Sequence, residues 1–301
     1  MRTIVKRVIE RASYRSGLLP LLRKRLRGRG LVLAYHNIVP SGFSASGDAS
    51  LHLAQATFAR QLDILAATHE VVTLGTILED PGTTKRPRVA LTFDDAYTGA
   101  LTAGLYELAR RSMPATIFVT PALLGSSPWW DRLADVHSGE IAPERRSHAL
   151  QALEGRHERI LEWAAEGKRS GELSSQIATE QLLLEASRGS GIAMESHTWS
   201  HANLSVLSDD AMREELVRPA TWLRNHLGSS PRFISYPYGL YSSRVEAVVE
   251  ACGYDAAFRV DGGWIHDEPR TRRFAVPRYN VPAGLSLDGF RLRLAGIATK
   301  S

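Results

Sequence analysis

Two adjacent carboxylates, Asp94 and Asp95, close an apolar run, Val89-Ala90-Leu91-Thr92-Phe93. Side by side after a buried segment they repel each other and lose solvation, so positive charge is expected near them. By themselves they also fit a helix start, where an aspartate caps free N–H groups. A second group, His197-Thr198-Trp199-Ser200-His201, sets two imidazoles four residues apart, which one helical turn brings to the same side. Two imidazoles and one carboxylate make three ligands and leave a fourth position open for water, the arrangement of catalytic zinc. The same donor set suits Co²⁺, Ni²⁺ or Fe²⁺.

These residues need elements that bring them together. Short apolar runs recur along the chain: Leu31 to His36, Val71 to Leu74, Val89 to Phe93, Ala115 to Thr120, Ile192 to His197, Phe233 to Tyr236, Ala256 to Val260 and Phe274 to Arg278. Between them lie stretches of helical periodicity. This alternation predicts an α/β protein with a mostly parallel sheet. The chemically interesting residues fall where the runs end: His36, Asp94, Asp95, His197 with His201, Tyr238 and Arg278. In a parallel barrel that end carries the active site, because its loops converge over the axis. Residues 126–190 are polar and poor in strand signals, and they read as a helical insertion. Within them Trp129-Trp130-Asp131 fits a helix start anchored by aromatics, or a surface on which a ligand ring could stack.

Composition narrows the setting. The chain has 301 residues, 44% of them hydrophobic, enough for one large core. Its net charge is +5, but residues 1–30 hold ten basic residues against Glu10 alone, which is +9 and leaves −4 for the rest. Ile4, Val5, Val8, Ile9 and Ala12 recur at helical spacing among Arg2, Lys6, Arg7 and Arg11, an amphipathic segment with a cationic face. An anionic membrane surface is its expected partner, at about 1 kcal/mol per nearby cation, and nucleic acid is not expected. No apolar run of ~7–15 residues interrupts these charges as a secretory signal does. No stretch approaches the ~20 apolar residues of a spanning helix. A cytoplasmic location, peripheral on the inner membrane surface, is expected. The one cysteine, Cys252, excludes an internal disulfide and reads as a packed residue on a helix ending at Gly253.

Thr92-Phe93-Asp94-Asp95 and His197-Thr198-Trp199-Ser200-His201 together resemble the first two motifs of the polysaccharide deacetylase family, also called the NodB-homology or carbohydrate esterase 4 family. The resemblance runs from about residue 31 to 280. It implies a distorted TIM-like (β/α)7 barrel, here over residues 31–301 with the helical insertion at 126–190. It implies hydrolysis of N-acetyl groups on an amino-sugar glycan or a lipid-linked saccharide. By position, Asp94 would be the general base and Asp95, His197 and His201 the metal ligands, with Zn²⁺ the expected ion. Phe233-Ile234-Ser235-Tyr236-Pro237-Tyr238-Gly239 resembles the third motif, so Pro237 and Tyr238 are expected at the substrate, as is Trp199 from inside the histidine motif.

The chain departs from the family pattern in two places. Ser235 stands where the third motif often has an arginine, and Arg278 in Val276-Pro277-Arg278-Tyr279 is expected to orient the base instead. The usual C-terminal Leu-x-His is absent, and no histidine follows His266. Tyr35-His36 matches the form seen in a subgroup resembling biofilm-glycan deacetylases, which makes His36 the expected general acid. These departures leave two other readings open: a carbohydrate-binding protein that has lost catalysis, and a metal hydrolase of a different bond, such as a deformylase.

Overall fold

A computed structural model describes residues 19–79, 86–164, 175–265 and 272–297. The amphipathic reading of residues 4–12, and His266, lie outside the described residues. The strands are β1 (Gly30–Tyr35), β2 (Asn37–Val39), β3 (His52–Ala54), β4 (Glu70–Val71), β5 (Arg88–Phe93), β6 (Ala115–Val119), β7 (Ile192–Ser196), β8 (Phe233–Ser235), β9 (Ala256–Gly262) and β10 (Val276–Asn280). Seven of them, in the order β1-β10-β9-β8-β7-β6-β5, run parallel and close into a barrel where β1 pairs with β5. That junction is long, from Gly30 beside Arg88 to Tyr35 beside Phe93. The other edge of β5 is shared: β4 pairs with Arg88 and Val89, and β6 with Thr92 and Phe93.

The helices are α1 (Leu19–Lys24), α2 (Gln55–Thr68), α3 (Leu74–Glu79), α4 (Leu105–Ala109), α5 (Trp129–Leu133), α6 (Pro143–Gln151), α7 (His157–Ala164), α8 (Glu180–Ser187), α9 (Asp209–Leu227), α10 (Ser243–Ala251) and α11 (Leu287–Leu294). A π-helical turn, Ala100–Gly104, leads into α4. Local sequence explains their ends. Ser208 accepts the Ala211 N–H at the start of α9, with Asp209 and Asp210 in its first turn. Gly228, in left-handed conformation, ends that helix.

Strand alternation separates the barrel's interior from the layers outside it. Leu31, Leu33 and Tyr35 of β1 and Val89, Leu91 and Phe93 of β5 pack outward with Phe58, Leu62 and Leu65 of α2. Val32, Ala90, Phe118, Phe233, Phe258 and Val276 form a separate cluster inside the barrel, joined from below by Leu74 and Ile77 of α3. Period-two geometry then continues Ala90 to Thr92 and Asp94, Phe233 to Ser235, and Val276 to Arg278 on the inner face. Polar side chains therefore fill the barrel's upper layers and apolar ones its floor.

Two expectations need correction. Val71-Leu74 is not a full strand: only Glu70–Val71 pairs, and Leu74 opens α3, which the barrel floor recruits. The last strand starts at Val276, so Arg278 lies mid-strand with no exposed surface, not at a strand end. Leu26, before β1, joins the main core, and Leu19 packs with Leu292 and Ala295. Between β6 and β7 the described residues form α5 to α8 and no strand. Ser175 to Ile177 nevertheless reach back to the barrel loop, with Ile177 bridging Tyr97. No described helix is long and apolar enough to cross a membrane.

Candidate active site

The upper barrel is organised around one buried ion pair. Arg278 Nη1 donates to Asp94 Oδ1 and Nη2 to Asp94 Oδ2, both at 2.7 Å. Two parallel bonds fix the carboxylate plane. The remaining guanidinium donors are also used: Nη1 reaches Thr92 Oγ1 at 3.1 Å, Nη2 reaches Ser235 Oγ at 2.6 Å, and Nε reaches the Arg259 carbonyl at 3.0 Å. That carbonyl lies where the register of β9 against β10 shifts; the local irregularity turns a backbone acceptor toward Arg278. Ser235 Oγ–H in turn donates to Asp94 Oδ2 at 3.3 Å. Burial would raise the Asp94 pKa, but Arg278, His197 and His36 outweigh it and hold this carboxyl well below the usual carboxylate range.

Beside this pair three ligand atoms converge. His201 Nε2 is 3.2 Å from Asp95 Oδ1, His197 Nε2 is 3.5 Å from it, and the two Nε2 atoms are 3.1 Å apart. Ligands of a tetrahedral ion bonded at ~2.0–2.1 Å stand about 3.3 Å from one another. The triangle thus has the dimensions of one face of such a site. The chemistry of the donors agrees. His197 Nδ1 donates to the Ser235 carbonyl at 2.8 Å, which leaves Nε2 as the lone pair facing the triangle. Asp95 Oδ1 is buried with no hydrogen-bond donor among the described residues. Burial, against the pull of His197 and His36, pushes the Asp95 pKa up to about 6, and burial lowers His201 to about 3. A buried carboxylate oxygen that lacks a donor, facing imidazoles that resist protonation, is matched by a divalent cation.

The backbone aiming these ligands is unusual. Asp95, Thr198, His201 and Tyr238 all have positive φ, at 68°, 66°, 62° and 59°. Non-glycine residues rarely adopt this region, and such strain gathers at functional sites. Neighbouring bonds hold it in place. His201 N–H donates to Thr198 Oγ1 at 3.1 Å. Glu215, buried on α9, accepts from Ser200 N–H at 2.8 Å and from Ser200 Oγ–H at 2.6 Å.

A cavity of about 470 Å³ opens over the triangle, and His36, Asp94, Asp95, His197, His201 and Tyr238 all line it. His36 follows β1 at a partly exposed position. Burial lowers its pKa, while Asp94 and Asp95 draw it back up. Tyr238 packs its ring 4.5 Å from His201, with its hydroxyl accepting from Trp129 Nε1 at 3.0 Å. Pro237 is buried behind this wall and does not line the cavity. Trp199 is elsewhere: Arg218 covers its ring at 3.8 Å, and it lines a neighbouring cavity with Arg156 and Glu214. Its backbone N–H is tied to the Glu215 carbonyl at 2.9 Å, which turns the side chain away from the ligands. The sequence reading did not single out Asp48, Arg146 or Asn280, which also line the cavity. Nor did it settle on Trp130, whose ring lies 4.6 Å from His201.

The family profile described as polysaccharide deacetylase matches residues 81–257. Among solved structures the chain is similar to the deacetylase PplD of Streptococcus pyogenes in complex with acetate, at 16% identity and TM-score 0.62, covering 88% of this chain and 98% of that one. It is similar to IcaB from Ammonifex degensii at 18% identity and TM-score 0.62, covering 89% and 96%. It is also similar to a de-N-acetylase from Aggregatibacter actinomycetemcomitans at 14% identity and TM-score 0.58, covering 88% and 99%. At these identities the likeness is one of fold. No curated protein matches the chain. The profile spans more than half the sequence and contains both the aspartate pair and the histidine motif: the chain belongs to the polysaccharide deacetylase family and is a carbohydrate deacetylase.

Proposed function

We propose that this protein removes N-acetyl groups from an amino-sugar glycan or saccharide, using a divalent metal held by Asp95, His197 and His201. The observation that carries this reading is the ligand triangle with edges of 3.1 to 3.5 Å, set against a carboxylate clamped by Arg278. Zn²⁺ is the ion that best suits two imidazoles and one carboxylate. When bound, such an ion supplies Lewis acidity, polarising the acyl oxygen and making a water more acidic.

The chain's own residues do the rest. Asp94 is the general base: Arg278 keeps it ionised and fixes its plane, so that it meets the attacking water in one orientation. The same clamp makes Asp94 a weak base, which suits a water that is already acidified. His36 is the general acid that protonates the departing amine, and Asp94 and Asp95 favour its protonated form against the burial that lowers its pKa. Tyr238 walls the acyl side of the cavity, and Trp130 and Tyr238 keep bulk water from His201. The cationic segment at residues 1–30 supports contact with an anionic membrane surface, which would bring the enzyme to surface-borne saccharides.

The test is acetate release from N-acetylhexosamine oligomers, with chelator and with restored Zn²⁺. Release that stops with chelator and returns with metal is expected. Asp94→Asn is expected to keep one metal per chain and lose at least about 100-fold in turnover. Near-normal turnover in that variant would sink the base assignment.

A further inference from the structure

His197 and His201 are oriented by different means. His197 has the outer hydrogen bond that usually fixes a metal-binding imidazole, from Nδ1 to the Ser235 carbonyl. His201 Nδ1 is buried with no hydrogen-bond partner among the described residues. Packing holds this ring instead, between Trp130 with its centroid at 4.6 Å and Tyr238 at 4.5 Å. A packed imidazole is fixed only as well as the rings against it.

Trp130 is fixed from behind by a run of buried polar groups. Its Nε1–H donates to Tyr97 Oη at 2.8 Å, and Tyr97 Oη–H donates to Asp131 Oδ2 at 2.7 Å. Asp131 Oδ1 accepts from the Asp48 backbone N–H at 2.9 Å and from His52 Nε2 at 3.1 Å. Asn37 Nδ2 lies 3.1 Å from His52 Nδ1; its donation there leaves the His52 proton on Nε2, facing Asp131. The directions agree at every link: indole only donates, carboxylate only accepts, and the phenol between them does both. Tyr97 is fully buried, and the Asp131 and His52 side chains are 3% and 4% exposed. Gly47 leaves the room, since a Cβ there would collide with the Asp131 carboxylate. A carboxylate buried among three donors, none of them Lys or Arg, is costly unless its geometry is needed.

We propose that Asp131 is a positioning residue for His201, acting through Tyr97 and Trp130, so that the first helix of the insertion sets the metal affinity as well as the pocket wall. This rests on the metal-site reading above. Asp131 and Tyr97 do not line the cavity; the charge of Asp131 also reaches Asp95 through space, so Tyr97→Phe, which leaves that charge in place, isolates the path through the indole.

Tyr97→Phe keeps the ring and deletes the one oxygen that links Trp130 to Asp131. Asp131→Asn replaces one acceptor with a donor. Full-length wild type and variants are compared by competition for Zn²⁺ with a chromophoric chelator, and by the visible absorption of the Co²⁺-loaded proteins. Each variant is expected to bind Zn²⁺ about 10-fold more weakly or worse, with a shifted Co²⁺ spectrum. Trp130→Phe removes the indole N–H, so adding Tyr97→Phe to it is expected to change little further. If wild type binds one Zn²⁺ and folded Tyr97→Phe matches it in affinity and Co²⁺ spectrum, the positioning role is overturned and the metal site stands. Equal effects of Tyr97→Phe with Trp130 or Phe at position 130 also overturn it. Failure of wild type to bind either ion one to one overturns the metal-site reading itself. Should Asp131→Asn not fold, Tyr97→Phe decides.

Discussion

At the scale of single residues, the Asp94–Arg278 pair is the costliest feature of the barrel and the most exposed to mutation. Both charges are buried, and every Arg278 donor group has an acceptor. Removing one partner strands the other, at about 3–5 kcal/mol, whereas removing both can be nearly neutral. Arg278→Met is therefore expected to lower the unfolding free energy by that amount. Asp94→Asn with Arg278→Met is expected to recover part of it, in urea melts of the metal-free protein. Additive losses in the double variant would contradict the pairing. This partnership was half legible in the sequence: the absence of an arginine at Ser235 pointed to Arg278, but the apolar start of Phe274-Ala275 placed it at a strand end. The cluster of Asp95, His197 and His201 was legible because the histidines stand four apart and the family resemblance singles out the second aspartate of the pair. Tyr97 and Asp131 were not, because a hydrogen bond between residues 34 apart in sequence leaves no spacing to read.

At the scale of elements, the alternation of apolar runs predicted the parallel sheet, since buried strands and helices differ so plainly in period, and the family resemblance implied its closure into a barrel. Short pieces escaped it. The two-stranded pairing of β2 with β3, which carries His52 toward Asp131, is three residues long on each side, too short for a periodic signal. The junction of α2 with β4 is another hidden site. His69 there is 3% exposed, with Nδ1 2.7 Å from Thr68 Oγ1 and its ring beside Trp264. Burial first, then the charge of Arg23, lowers its pKa to about 4, against ~6.5 in an unfolded chain. The native state thus holds His69 neutral. As pH falls below ~6.5 the unfolded chain takes up a proton that the folded chain refuses until about pH 4. The stability from this residue is complete above pH 6.5 and is lost on acidification, by at most roughly 3 kcal/mol. His69→Phe is expected to flatten the fall in unfolding free energy between pH 7 and pH 4.5. An unchanged slope in that variant would mean that His69 protonates freely in the native state.

At the scale of the whole molecule, the barrel separates its charge from its chemistry. Arg23, Lys24, Arg25, Arg27 and Arg29 lead into Gly30, where β1 begins, and the Arg29 carbonyl accepts from Arg88 at the start of β5. Asp94 and Asp95 follow the other end of that same strand. Six residues of strand span about 20 Å, so the cluster and the active site occupy opposite ends of the barrel. A membrane engaged by this cluster lies away from the cavity mouth. A sugar joined directly to a lipid phosphate in that membrane cannot enter the cavity, whereas an amino sugar far along a saccharide, or one in solution, can. Anionic vesicles are therefore expected to bind the protein and leave acetate release from a soluble N-acetylhexosamine oligomer unchanged. On the same vesicles, a single N-acetylhexosamine attached directly to a lipid phosphate is expected to be deacetylated far more slowly than the soluble oligomer. Equal rates on the two substrates would mean that the protein meets the membrane with the cavity end of its barrel, and that the basic cluster does not set its orientation.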